Sequence, residues 1–282
     1  MGLVTYTIYS TQKYGRCKVH SRVTTWYNTC MQQQATSWQK VAPWYNNLVG
    51  VDGHYYHKQV VLPGLLRLLD LKSDCSLLDL GCGQGVVSRV IPEIARYVGV
   101  DKAASLIDAA KNNNKNARHT FAVADVTRPL PKIDPGFSHC CVVLALQNME
   151  KPEGVFDNLA QLLQMGGEVV IVLNHPVFRI PRQSGWGIDE KTKQQHRWIN
   201  RYLSPLRIPI TMNPGKKDSQ TTWSFHRPLQ DYISMLTNAG FIITGLEEWV
   251  SDKESEGKAA KMENRARSEF PLFLTLVAKK VS

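Results

Sequence analysis

The sequence predicts an α/β fold built on a doubly wound parallel sheet, and three observations carry that prediction. Short β-prone runs alternate with stretches of helical spacing through the middle of the chain. Two of the runs, Cys140 to Leu146 and Glu168 to Leu173, are apolar at almost every position, as strands covered on both faces must be. Leu77-Leu78-Asp79-Leu80 then meets glycines at 81, 83 and 85, a strand that delivers its backbone to a sharp turn where a ligand can approach bare main chain.

The elements follow in order. Residues 1–36 show little apolar periodicity and read as a flexible extension, with Met31 as an alternative initiator. From Ser37, a candidate N-cap, Trp38, Val41, Ala42, Tyr45, Leu48 and Val49 fall at helical spacing, and a second helix is expected over Tyr55 to Leu69, giving a helical pair over 37–70. After the glycine turn, Val86 to Ile91 should open a helix whose free N–H groups face an anionic group. Tyr97 to Val100 is a strand ending at Asp101, Ala104 to Asn113 a helix, and Thr120 to Ala124 a strand ending at Asp125. A helix over Val155 to Leu163 is expected to stop at Gly166-Gly167, and the strand Glu168 to Leu173 to stop at Asn174-His175-Pro176. Residues 177–225, rich in Pro and Trp, are too long for a plain connection and read as an insertion folded over the site. A helix over Gln230 to Ala239, stopped by Gly240, a strand from Phe241, a charged loop with some helix over Lys253 to Arg267, and a strand over Phe270 to Ala278 complete the chain.

Asp79-x-Gly81-x-Gly83-x-Gly85, with Asp101 and Asp125 closing the next two strands, resembles motif I and its companions in the class I S-adenosylmethionine (SAM) dependent methyltransferases. The resemblance implies a Rossmann-like seven-stranded sheet of order 3-2-1-4-5-7-6 with the last strand antiparallel, and one such domain over 37–282 with the helical pair over 37–70 as a lid. It implies SAM as cofactor, held by Asp79, Gly81, Cys82, Gly83, Gly85, Asp101, Lys102, Asp125, Val126 and Ala145. In that family the acid of the second strand takes the ribose hydroxyls and the third-strand acid the adenine amino group. His175-Pro176, His226-Arg227-Pro228-Leu229, Tyr232 and Ala239-Gly240-Phe241 are similar to the branch that methylates quinones and other small acceptors.

The chemistry this implies is in-line displacement at a sulfonium methyl, for which alignment supplies much of the rate and a base is needed only where the acceptor carries a proton. His175 and His226 are the candidate bases, the competing roles being a wall hydrogen bond for His175 and a turn cap for His226. Tyr45, Arg179, Arg182, Trp186 and Arg227 are candidate substrate contacts, with His54, Tyr56 and His57 on the same side and Arg197 a further anion anchor.

Composition narrows the alternatives. The 282 residues are 43% hydrophobic, enough for one large core, and no apolar run approaches a membrane span. Six cysteines show no C-x-x-C pair and no metal spacing with histidine; reduced thiols point to a cytoplasmic protein, and no metal is expected. The net charge of +10 is uneven: residues 179–217 carry nine basic and two acidic side chains, and residues 1–30 four basic and none acidic. A basic insertion keeps RNA or protein methylation open as the alternative to a small-molecule acceptor. Leu144-Ala145-Leu146-Gln147-Asn148 lacks the Asn/Asp-Pro-Pro-aromatic signature of amino-directed nucleic-acid enzymes, and no Pro-Cys nucleophile occurs, so nucleic acid is not favoured. A non-enzymatic SAM-binding subunit is the third reading, and the oligomeric state is left open.

Overall fold

The computed structural model describes residues 53–212 and 221–282, together with Trp38, Gly50 and Ser219. Eleven strands form among them: β1 (Ser76–Leu80), β2 (Arg96–Asp101), β3 (His119–Val123), β4 (Phe137–Val143), β5 (Leu163–Asn174), β6 (Ser184–Asp189), β7 (Gln194–Ile199), β8 (Leu206–Thr211), β9 (Thr221–His226), β10 (Phe241–Trp249) and β11 (Phe273–Lys280). The helices are α1 (Leu62–Leu69), α2 (Ala104–Asn113), α3 (Glu153–Leu162), α4 (Leu229–Asn238) and α5 (Ala260–Glu269).

Seven strands make one sheet in the order β3-β2-β1-β4-β5-β11-β10. Only β11 runs antiparallel, to β5 on one side and β10 on the other. This is the expected 3-2-1-4-5-7-6 order, with β10 and β11 as sixth and seventh members. Alternation along the strands divides the core in two. Leu77, Tyr97, Cys141 and Val172 pack under α1 and α2, whereas Leu78, Val100, Cys140 and Ile171 pack against α3 and α4. The adjacent cysteines therefore face opposite layers, and both are free thiols.

Four expectations are corrected, each for a local reason. The helix expected over Val86 to Ile91 is a single 3-10 turn, Val87–Arg89. The apolar spacing there is helical, but four β-branched residues and Pro92 disfavour propagation. The helix expected over Tyr55 to Leu69 is composite, a π turn over His57–Val61 leading into α1. Pro63 has no N–H for the Gln59 carbonyl, so the wider turn accommodates it.

Gly166-Gly167 does not end α3. The helix stops at Leu162 and β5 begins at once, with Lys280 Nζ donating to the Leu163 carbonyl at 3.0 Å and to the Ala160 carbonyl. The glycines instead relieve a register shift, Phe137 facing Leu163 but His139 facing Glu168, and Gly166 takes φ +75° there. Finally, the strand placed from Phe270 starts at Phe273, because Phe270 and Pro271 close α5. The expected N-terminal extension and most of the first lid helix lie outside the described residues; Trp38 packs on Ala103 and Leu106. The insertion after β5 folds as two antiparallel hairpins, β6–β7 and β8–β9. The second lies against the 3-10 turn Leu146–Asn148 that follows β4, and β7 lies against α5.

Candidate active site

The carboxyl ends of β1, β2 and β3 sit side by side, as the parallel register of Asp79 to Gly99 and Val98 to Thr120 requires. The turn after β1 is possible only because Gly81, Gly83 and Gly85 adopt φ +81°, +54° and +74°. A Cβ at Gly81 would stand 2.6 Å from the Ala145 Cβ, so β1 and β4 approach there with no room for a side chain. The turn is tied to β2: the Gly81 and Cys82 amides donate to the Val100 carbonyl at 2.8 and 3.1 Å, and the Gly83 amide to Asp101 Oδ2 at 3.0 Å.

Asp101 thus has one oxygen on the glycine turn and the other on α2, since its Oδ1 accepts the Ala103 amide at 2.8 Å. Burial holds its carboxyl above the usual range, opposed by those amides. A carboxylate offers about four lone-pair sites, and with the Gly83, Ala103 and Lys102 amides on it Asp101 keeps capacity for an outside donor. Asp125 lies two residues beyond β3, its Oδ1 accepting the Thr127 hydroxyl at 2.7 Å and its Oδ2 the Lys102 ammonium at 2.9 Å. Burial alone would lift its pKa, but those contacts outweigh it and hold the carboxyl low. Val126, buried, is fixed from below by Asn158 of α3, whose amide donates to the Val126 and Arg128 carbonyls at 2.9 and 2.8 Å.

Asp79 is buried beneath the turn, its Oδ2 accepting the Tyr97 hydroxyl at 2.8 Å while Oδ1 has no hydrogen-bond partner among the described residues. Burial pushes its carboxyl up to about 7, against the Tyr97 hydroxyl and the nearby Cys141 thiol. Gly99 makes the contact possible, since a Cβ there would stand 3.1 Å from the Tyr97 hydroxyl and 3.0 Å from the Cys82 sulfur.

The two candidate bases are held by the fold. His175, just past β5, accepts the Val177 and Phe178 amides on Nδ1 at 3.2 and 3.3 Å, so Nε2 carries the proton and donates to Glu248 at 2.7 Å. His226 Nε2 donates to the Tyr202 carbonyl at 2.6 Å. Burial lowers both pKa values, and the acceptor on each Nε2 opposes this. Arg179, Arg197 and Trp186 gather after β5 and on the first hairpin. Arg197 Nη2 donates to Ser184 Oγ at 3.0 Å, and its guanidinium lies 5.0 Å from the Trp186 ring. Arg227 stands apart from them, donating to the Glu150 carbonyl at the entry to α3, and Arg182 is exposed at φ +59°. Tyr45 lies outside the described residues. No group of three His, Cys, Asp or Glu among the described residues could hold a metal ion.

Residues 78–171 match the family model described as a methyltransferase domain. The matched segment is similar to a methyltransferase domain, the sheet around it has the fold of S-adenosylmethionine dependent methyltransferases, and the likeness supports SAM as the cofactor. Two solved structures of S-adenosylmethionine dependent methyltransferases share its fold. That from Mesorhizobium loti is 24% identical at TM-score 0.62, covering 82% of this chain and 100% of its own. That from Listeria monocytogenes is 22% identical at TM-score 0.59, covering 78% and 97%. A third, the complex between the Haloferax volcanii Trm112 methyltransferase activator and a methyltransferase, is 14% identical at TM-score 0.60 and covers 89% and 98%. No curated protein matches the chain.

The residues present fit SAM. The glycine turn presents bare backbone at positive φ, packed against Ala145 with no room for a side chain at Gly81, and Asp101 retains acceptor capacity beside it. Sequence reasoning missed Asn158 and Tyr97 as supports. Asn158 was visible as the one amide on the face that α3 shares with Val155, Leu159 and Leu162; Tyr97, within a run read only as β-prone, gave no such signal. It also passed over Gln147, whose Nε2 donates to the Leu144 carbonyl at 2.8 Å while its buried Oε1 has no hydrogen-bond partner among the described residues. That contact holds Leu144 at φ +51°, the turn that ends β4 beside the cradle.

Proposed function

We propose that the chain transfers a methyl group from SAM to a small-molecule acceptor by in-line displacement. The observation that carries this reading is the tie between Gly83 and Asp101, which makes the glycine cradle and the second-strand acid one rigid unit. When bound, SAM supplies a sulfonium methyl that is already an activated electrophile. Gly81, Gly83 and Gly85 would meet its amino-acid end, Asp101 its ribose hydroxyls, and Asp125 with Val126 its adenine edge. Holding donor and acceptor in line supplies roughly 7 to 11 kcal/mol of the barrier.

The small-molecule reading draws support from the hairpins after β5. They would act as a substrate cap with an aromatic surface, the exposed Trp186 meeting the Phe270 ring edge-on at 5.3 Å. His175 and His226 act as wall and turn supports, because each already donates through Nε2 to a protein acceptor. His57 sits on the π turn near Gly53 and Val86, and burial with the neighbouring His54 lowers its pKa to about 4, so it is neutral and only a weak base. No described helix is long and apolar enough to cross a membrane, and the free thiols accord with a cytoplasmic setting.

The test is calorimetric titration of the whole chain with SAM, followed by turnover with radiolabelled SAM against a metabolite panel and against RNA. Micromolar SAM binding and label transfer to a metabolite are expected. Tight RNA binding with a steep salt slope and no metabolite turnover would replace this reading with the macromolecular one.

A further inference from the structure

We propose that Arg179 and Arg197 form a binding site for an anionic oxygen group, carboxylate or phosphate, on the methyl acceptor, beside an aromatic wall of Phe178, Trp186 and Phe270. The proposal rests on the methyltransferase reading and names the substrate class for it. Both arginines are placed by the fold. The Arg179 amide donates to the His175 carbonyl at 2.9 Å, and His175 is itself pinned to Glu248. Arg197 Nε donates to the Phe178 carbonyl at 2.8 Å, which sets its guanidinium against the residue that precedes Arg179.

Arg179 and Arg197 repel one another, and neither has a carboxylate partner among the described residues. Asp189 and Glu190, the acids of the first hairpin, are spent on their own turn, on the Lys191 and Thr192 amides and on Lys193. Arg179 is exposed, so an anion from solvent can reach it. An anion between the two guanidiniums would relieve the repulsion and gain bidentate hydrogen bonds, which is what arginine rather than lysine provides.

Position agrees with charge. Arg179 lies within electrostatic reach of Tyr56, which precedes the π turn, and the next residue, His57, packs close to Gly53 and Val86 at the exit of the glycine turn. The Phe178 and Phe270 rings meet edge-on at 5.5 Å, so an apolar or aromatic body attached to the anion has a surface to lie on. A nucleic-acid backbone would supply phosphate too, but the site is a single clamped pair with a wall, not a stripe of solvated cations.

Calorimetric titration of the full chain with benzoate, phenyl phosphate and the neutral isostere benzamide, each with and without S-adenosylhomocysteine, tests the inference. At least one anion should bind about tenfold or more tighter than benzamide, and Arg179→Gln or Arg197→Gln should abolish that preference. Which anion wins separates carboxylate from phosphate. S-adenosylhomocysteine affinity should be unchanged in both variants, and circular dichroism checks that they fold. Benzamide binding as well as the anions, no anion binding at all, or undiminished anion binding in both variants would overturn the site. Displacement of the anion by a short RNA at low micromolar concentration would overturn the small-acceptor assignment. Failure of S-adenosylhomocysteine to bind the wild-type chain would instead refute the methyltransferase reading, and the anion titration without it still scores the arginine pair.

Discussion

Replacing Asp79 by Asn should flatten a pH dependence that the buried carboxyl imposes on the whole fold. In the native chain burial moves that carboxyl from an ordinary 3.8 to about 7, and the side chain is 1% exposed. A raised acid binds its proton more tightly in the native state than in the unfolded chain. Its contribution is therefore fully present below about pH 4 and is lost as pH rises toward about 7. A shift of roughly three units corresponds to about 4 kcal/mol, an upper figure because water and small movements relax a buried charge. Urea denaturation of wild type and Asp79→Asn at intervals from about pH 4 to 8 isolates the group, since every other titration is common to both proteins. The stability of the variant relative to wild type should climb with pH by a few kcal/mol over that range. Tyr97→Phe, which removes the 2.8 Å donor to the carboxylate, should steepen the loss. A difference that stays flat to within about 0.5 kcal/mol would show that Asp79 is ionised throughout and would refute the reasoning.

Gly83→Val forces a β-branched residue to φ +54° and fills the cradle; calorimetry should find SAM binding gone while circular dichroism stays near native. Asp101→Ala removes the acceptor for the Gly83 and Ala103 amides as well as for the ribose. Charge-assisted bonds are worth about 1.5 to 3 kcal/mol each, so the SAM dissociation constant should rise at least about tenfold. An unchanged affinity in both variants would contradict the cofactor assignment. Asn158→Ala leaves the Val126 and Arg128 carbonyls without their donor and should cost about 1 to 3 kcal/mol in urea denaturation, with weaker SAM binding as the adenine segment loosens.

What could be read in the sequence was what a single residue type makes obligatory. Glycines at 81, 83 and 85 can take a backbone that other residues resist, and acids after apolar runs mark strand ends, so the glycine turn and the strand-end places of Asp101 and Asp125 were legible from 77–125 alone. Strand order was legible through the resemblance that those motifs carry. Failures came where spacing and local chemistry disagreed. Val86 to Ile91 has helical apolar spacing but β-branched side chains and a proline behind it, and the chemistry prevailed. Gly166-Gly167 looked like a helix stop and instead absorbs a three-residue offset between β4 and β5, which only the paired strand reveals. The histidines show the same limit. Nothing near His175 announces Glu248, 73 residues away, yet that contact sets which ring nitrogen carries the proton.

The two hairpins after β5 pair only within themselves and share no ladder with the seven-stranded sheet. Changing the length of β6–β7 or β8–β9 would therefore re-register no core strand. On the proposed reading, donor handling and acceptor choice would sit in separable parts of the chain. An engineer seeking a new acceptor would graft hairpins and leave the sheet alone.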